Sequence, residues 1–209
     1  MMKVIVATGN KDKMAEIREI MEDVFPDAQI CSMKEAGVEC DPEENGCSFE
    51  ENALIKARAV KKLAQTKHGD CIIFADDSGL VIDCLNGEPG IFSARYMGRE
   101  TPYSAKNLDL IGRVDATGDK KRSARFVCAV ACVLQNGDEI VVHGTIEGVI
   151  AHAPSGNKGF GYDPIFWVPS LNCTTADIPA KQKNEISHRG NALRLMKEEL
   201  VKYENSRNK

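Results

Sequence analysis

No stretch of this 209-residue chain holds the roughly 20 consecutive apolar residues that a helix needs to cross a bilayer, so no membrane anchor is expected. The opening Met1-Met2-Lys3-Val4-Ile5-Val6 is too short and too soon interrupted for a signal peptide, and reads as a first strand. Among the eight cysteines there is no C-x-x-C, which argues against structural zinc. Cys71, Cys84, Cys128 and Cys132 lie in apolar runs where a thiol behaves as a small hydrophobe, so a reduced, cytoplasmic protein is expected. Positive charge is not in excess. The net charge of -4 argues against sequence-independent nucleic-acid binding but leaves room for a local basic pocket. A Walker phosphate loop is missing, and so is the D-x-D that would follow the central apolar strand of an aspartyl-nucleophile phosphatase. With no repeats and no linker, residues 1–209 are expected to form one domain.

What is present suits an α/β fold. Hydrophobic residues make up 43% of the chain, enough for a sizeable core. Lys3 to Thr8 reads as a strand, turned by Gly9-Asn10 into a helix that runs to about Phe25 with Met14, Ile17, Ile20, Met21 and Val24 at helical spacing. A second strand is expected over Gln29 to Ser32, and an acidic, glycine-containing loop over 34–47. Ser48-Phe49-Glu50-Glu51 opens a helix as a capping box, and that helix runs to about Gln65. The apolar run from Cys71 is expected to stop at Asp76-Asp77 in a tight turn, with a separate strand-like run from Gly79 to Leu85. A helix from about Ser104 to Val114 follows. Ala124 to Leu134 and Glu139 to Val149 are joined through Asn136-Gly137, a strong hairpin signal. A short strand near Ile165 to Val168 and a closing helix from about Arg189 to Tyr203 complete a mixed sheet flanked by helices.

The most informative stretch is Asp76-Asp77-Ser78. Two carboxylates at the end of a buried strand are costly unless a metal ion or a cationic partner neutralises them. Successive strand residues face opposite ways, so one aspartate would face a site while the other braces a neighbour. Thr8-Gly9-Asn10 with Lys11, Asp12 and Lys13 lies at a strand-to-helix turn, where a helix N-terminus suits phosphate and Lys13 adds a full charge. Glu43 and Glu44 precede the second helix and are candidates for a metal ion, while Lys56 lies one turn beyond Asn52. Phe160-Gly161-Tyr162-Asp163 joins aromatics that can stack on a base to a carboxylate that can accept from ring N–H groups. Lys181, Lys183, Ser187, His188 and Arg189 crowd the start of the last helix, where the helix dipole does not favour cations. Together these features point to a magnesium-assisted site for a nucleotide polyphosphate.

The motifs Thr8-Gly-Asn-Lys-Asp-Lys13, Ser48-Phe-Glu-Glu-Asn-Ala53 with Lys56, and Asp76-Asp-Ser-Gly-Leu80 span the first part of the chain. Gly87-Glu-Pro-Gly90 to Ser93-Ala-Arg95, Gly159-Phe-Gly-Tyr-Asp-Pro164 and Lys183-Asn-Glu-Ile-Ser-His-Arg189 follow in order. In this set the chain resembles the inosine/xanthosine triphosphate pyrophosphatases of the Ham1 type. The resemblance implies a two-lobed α/β fold with a long central mixed sheet, a deep cleft between the lobes, and a homodimer. It also implies Mg2+-dependent hydrolysis of ITP, dITP and XTP to the monophosphate and pyrophosphate. By motif position it makes Asp77 the catalytic carboxylate and metal contact, with Glu43 or Glu44 as the second metal carboxylate. Thr8 to Lys13, Lys56 and Ser78 would take the triphosphate and sugar. Phe160 to Asp163, Lys183, His188 and Arg189 would form the base pocket. No nucleic acid or membrane partner is implied. Two other readings use the same residues: a pyrophosphatase for other modified nucleotides, and a non-catalytic nucleotide sensor.

Overall fold

The computed structural model describes residues 2–207, with Met2 described through its backbone alone. Met1, placed by the sequence in the opening strand, lies outside them. The strands are β1 (Met2–Val6), β2 (Ala28–Ser32), β3 (Ile72–Ile82), β4 (Ser123–Val133), β5 (Glu139–Ile150), β6 (Phe166–Val168) and β7 (Cys173–Thr174). The helices are α1 (Lys11–Val24), α2 (Phe49–His68), α3 (Tyr103–Thr117), α4 (Ala180–Ile186) and α5 (His188–Arg207). The strands form one sheet in the order β2-β1-β3-β4-β5-β6-β7. β1 runs parallel to β2 and β3, whereas β6 is antiparallel to β5 and β7, so the sheet is mixed as expected. Among the described residues no helix is long and apolar enough to cross a membrane.

The chain divides into two compact units. The first comprises Met1–Asp77, Cys128–Gly144 and His188–Lys209, and the second comprises Ser78–Val127 and Thr145–Ser187. In the first unit the alternation of β3 sorts its side chains. Ile72 and Phe74 pack with Ile17, Ile20 and Met21 of α1 and with Leu193 and Met196 of α5. Ile73 and Ala75 pack on the other face with Ala53, Ala57, Val60 and Ala64 of α2. Each fully buried large apolar side chain contributes about 1.5–3 kcal/mol, so both layers are firmly held to the strand. Gly144 on β5 is required by a close approach. A Cβ there would lie 2.1 Å from the His188 carbonyl oxygen and 2.4 Å from the Ala192 nitrogen, so only glycine lets the first turn of α5 settle on the strand. In the second unit Leu80 and Ile82 join Leu110, Ile111 and Val114 of α3, with Phe126, Ile150, Ile165 and Phe166.

One local expectation is overturned. Asp76-Asp77-Ser78-Gly79 is not a turn between two strands, because β3 runs unbroken from Ile72 to Ile82 through both aspartates. The charges that argued for a stop are instead neutralised inside the unit, which leaves the backbone free to continue its ladder. Helix starts follow their sequence signals. The Asn10 side chain accepts from the Lys13 N–H at 3.0 Å. Ser48 Oγ accepts from the Glu51 N–H at 3.2 Å, while Glu51 Oε2 accepts from the Cys47 N–H at 2.6 Å.

Candidate active site

Asp76 and Asp77 are both buried, at 3% and 6% exposure, and their alternation on β3 gives each its own cation set. Asp76 faces the α1 and α5 side. Its carboxylate lies 3.3 Å from the Lys13 ammonium and 3.0 Å from the Arg189 guanidinium, and the Cys128 Sγ approaches it at 3.8 Å. Burial alone would raise the Asp76 pKa, but Lys13, Arg189 and Lys56 outweigh it and hold the carboxyl far below the ordinary carboxylate range. Asp76 is therefore a fixed anion. Burial and the nearby Asp76 push the Cys128 thiol well above its usual range, so it stays protonated.

Asp77 faces α2. Its Oδ1 accepts from the Lys56 ammonium at 3.0 Å, and its Oδ2 accepts from Asn52 Nδ2 at 3.3 Å. Here burial wins over Lys56 and Lys13, with Glu44 adding to it, so the Asp77 pKa rises. A carboxylate with a raised pKa is a better proton acceptor than an exposed one. The Lys56 pKa also rises: burial opposes its charge, but Asp77, Asp76 and Glu44 together prevail.

The same ammonium discriminates between the two loop acids. Glu44 Oε1 lies 3.4 Å from Lys56 Nζ, whereas Glu43 is exposed. Glu44 and Asp77 thus present hard oxygen donors around one cationic atom. Among the described residues no group of three His, Cys, Asp or Glu side chains forms a ready-made metal cage. Mg2+ ordinarily takes one or two carboxylates and fills the rest of its shell with water and phosphate oxygens. A pair of carboxylates already gathered on a cation fits that ion.

At the start of α1, Thr8 Oγ1 accepts from the Asn10 N–H at 3.2 Å, while Gly9, Asn10, Lys11 and Asp12 are exposed and Lys13 is partly buried. A cavity of about 860 Å3 borders this turn, with Thr8, Gly9, Asn10 and Lys11 on one side and Met33 and Val38 among its apolar walls. Ser78, half-buried, follows Asp77 on β3.

The second unit holds the aromatic loop, and the Asp163 carboxylate is its hub. Oδ2 accepts from the Phe160 N–H at 2.8 Å and from the Lys183 ammonium at 2.6 Å, and Oδ1 accepts from Thr175 Oγ1 at 2.8 Å. Lys183 Nζ also lies 5.0 Å from the Phe160 ring centroid. Gly159 and Gly161 both have positive φ, at +69° and +67°, which lets the loop turn tightly around that carboxylate. Tyr162 is buried, and its hydroxyl donates to the Ser93 carbonyl at 2.7 Å. Asp163, expected to accept from a base, accepts here from its own loop, from Thr175 and from Lys183.

His188 and Arg189 open α5 in the first unit and are buried. The Arg189 side chain, expected to line a base pocket, has two carboxylate partners within its own unit. Its guanidinium donates to Glu16 at 2.6 Å and to Asp76 at 3.0 Å, at 2% exposure. Two buried carboxylates require that positive charge. Glu16, Asn52 and Thr175 were not singled out as site residues from the sequence. Glu16 had a readable signal, since it interrupts the apolar face of α1 next to Ile17 and three residues from Lys13. Asn52 is fully buried one turn before Lys56, on a face where Ala53, Ala57, Val60 and Ala64 are the buried apolar residues.

Comparison with known proteins places the chain in a family. The family model described as the Ham1 family matches residues 4–199. A dITP/XTP pyrophosphatase of Clostridium perfringens is 44% identical over 96% of this chain and 98% of its own length. A protein of the same name from Yersinia pestis is 43% identical over 96% and 98% respectively. Among solved structures, a HAM1 protein from Coxiella burnetii superposes with a TM-score of 0.82 at 39% identity, covering 97% of this chain and 100% of that one. The Staphylococcus aureus Ham1 protein gives 0.82 at 37% identity over 96% and 99%. With its fold and acidic pair in place, and with likeness running the length of both partners, the chain belongs to the Ham1 family.

Proposed function

We propose that this protein is a nucleoside triphosphate pyrophosphatase that hydrolyses ITP, dITP and XTP to the monophosphate and pyrophosphate, clearing deaminated purines from the nucleotide pool. The observation that carries the reading is the division of labour on β3. Asp76 is a fixed anion clamped by Lys13 and Arg189, and Asp77 is a buried carboxylate of raised pKa beside Lys56. A structural ion pair needs only the first of these. A proton acceptor beside phosphate needs the second.

In this reading Thr8 to Lys13 and Lys56 bind the triphosphate, the α1 start by its dipole and the lysines by charge. Ser78 follows Asp77 on the same strand as a contact to the sugar or phosphates. Asp77 orients the attacking water and takes its proton at a carboxylate oxygen, while Asn52 keeps the carboxylate from turning. Glu44 and Asp77 are the residues that would hold Mg2+, which when bound would neutralise the polyphosphate and stabilise the leaving pyrophosphate. Without such charge compensation, the anionic phosphoanhydride repels a nucleophile.

Base choice is assigned to the Phe160–Asp163 loop with Lys183, and to His188. Phe160 offers a stacking face. Hypoxanthine and xanthine carry an oxo group at position 6 where adenine carries an amine. A buried donor satisfied by the one and left unpaired by the other costs about 1–3 kcal/mol, and several such donors give large discrimination. Arg189 is assigned to holding Asp76 rather than reading the base. A cytoplasmic location suits the eight free cysteines. A homodimer is part of the same reading.

The test is a panel of ITP, dITP, XTP, GTP and ATP with product identification, with Mg2+ and then with a chelator. Pyrophosphate and monophosphate from the first three alone, abolished by chelation, are expected. Stepwise phosphate release, or equal cleavage of ATP, overturns the reading. Binding without turnover would favour a nucleotide sensor.

A further inference from the structure

The start of α3 lies against the aromatic loop and has no part in the chemistry above. Asn107 is 3% exposed, and its Nδ2 donates to the Gly161 carbonyl at 3.2 Å. Its Oδ1 is buried without a hydrogen-bond partner. Packing alone would be served by an apolar residue of that size, without the cost of burying an amide oxygen. The amide is explained by its donor.

Two neighbours on the same helix start act on the same loop. The Tyr103 ring meets the Tyr162 ring edge-to-face, with centroids 5.2 Å apart at 87°. It also lies where a Cβ on Gly161 would touch it at 3.6 Å. Lys106 is 1% exposed and has its ammonium 4.9 Å from the Tyr103 ring centroid, donating to the Ala94 carbonyl at 3.2 Å. Its charge is thus placed against the ring that supports the loop.

Asp163 ties the loop at the Phe160 N–H, whereas the Gly161 carbonyl is held by Asn107. Gly161 sits at φ +67°, and a glycine in the left-handed region is the point where the loop would most easily relax. Asn107 holds the one carbonyl there.

We propose that Asn107 is a positioning residue for base recognition: by fixing the Gly161 carbonyl, with Tyr103 behind it, it sets the orientation in which the Phe160 ring meets the purine. This rests on the assignment of the Phe160–Asp163 loop to the base. Asn107 touches neither phosphate nor the reacting atoms, so its loss affects selection more than turnover.

The experiment compares wild type with Asn107→Ala and with Tyr103→Leu, the latter at a position 37% exposed. For each, kcat and KM are measured for ITP and for the poorer substrate ATP, alongside a thermal melt. Both variants are expected to raise KM for ITP about tenfold, to leave kcat for ITP within about twofold, and to compress the ITP-to-ATP ratio of kcat/KM by about tenfold. A merely structural role would lower the melting temperature and depress both substrates together. An unchanged ratio in a folded variant overturns the proposal. Failure of the wild-type protein to cleave ITP would instead remove the underlying functional assignment, so the two failures are separately visible.

Discussion

The ammonium of Lys56 stands 3.0 Å from Oδ1 of Asp77, one turn along α2 from the asparagine that holds the other oxygen. This pair is the centre of the proposed chemistry. Helix α2 supplies both partners of a carboxylate on the facing strand, so the geometry depends on alanines that let helix and strand pack closely.

Asp77→Asn keeps the size and the Asn52 contact but removes the proton acceptor. Turnover of ITP is expected to fall by about 10²–10⁴-fold with ITP binding retained. Steady-state rates and calorimetric binding check this together, and full activity in the variant would exclude Asp77 from the reaction.

Lys56→Met removes the cation that most opposes the burial-driven rise in the Asp77 pKa. The acidic limb of the kcat/KM profile for ITP is expected to move to higher pH. The sign is fixed because Lys56 favours the ionised carboxylate and its loss favours the protonated one. A limb that stays put or moves down would assign the titration to another group.

Arg189→Met leaves Asp76 and Glu16 as buried carboxylates without their shared guanidinium. A loss of about 3–5 kcal/mol in stability at neutral pH is expected, as for breaking a buried pair from one side. In the wild type the Asp76 pKa lies below its unfolded value, so its contribution is present above about pH 4 and fades as pH falls toward the folded pKa. In the variant Lys13 and Lys56 still face Asp76 but the guanidinium is gone, so that contribution shrinks and the gap between wild type and variant narrows as pH falls. Urea unfolding at pH 7 and pH 4 measures both arms. A neutral, ITP-specific phenotype would restore Arg189 to the base pocket.

Gly159→Ala brings a Cβ within 2.2 Å of Asp163 Oδ2, at a φ of +69°. The carboxylate that holds Lys183 and the Phe160 N–H would have to move. About 1–3 kcal/mol of destabilisation is expected, with a raised KM for ITP. Thermal melts and ITP kinetics report the two effects, and a silent variant would show that the hub is not needed.

Much of the fold was legible because its signals are local. Asn136-Gly137 marks the β4–β5 turn, Ser48 and Glu51 mark the start of α2, and the spacing of Ile17, Ile20, Met21 and Val24 marks the buried face of α1. The misses have the opposite character. Two aspartates and Gly79 imitate a strand end, and only cations from α1, α2 and α5 make the strand continue. α4, of seven residues, and β7, of two, are too short to show a period. The ion pairs of Arg189 could not be read, since its partners Asp76 and Glu16 lie 113 and 173 residues away in sequence. The acidic pair itself was visible, and so was the rule that its two members must face apart.

That rule makes the assignment of the two aspartates a matter of parity. Inserting or deleting one residue between Ile72 and Asp76 would exchange their environments, turning the proton acceptor toward the guanidinium and the clamped anion toward Lys56. Tolerance to length change at this point should therefore be nil, even where the added residue is small and apolar, while changes of two residues would at least preserve which carboxylate meets which charge.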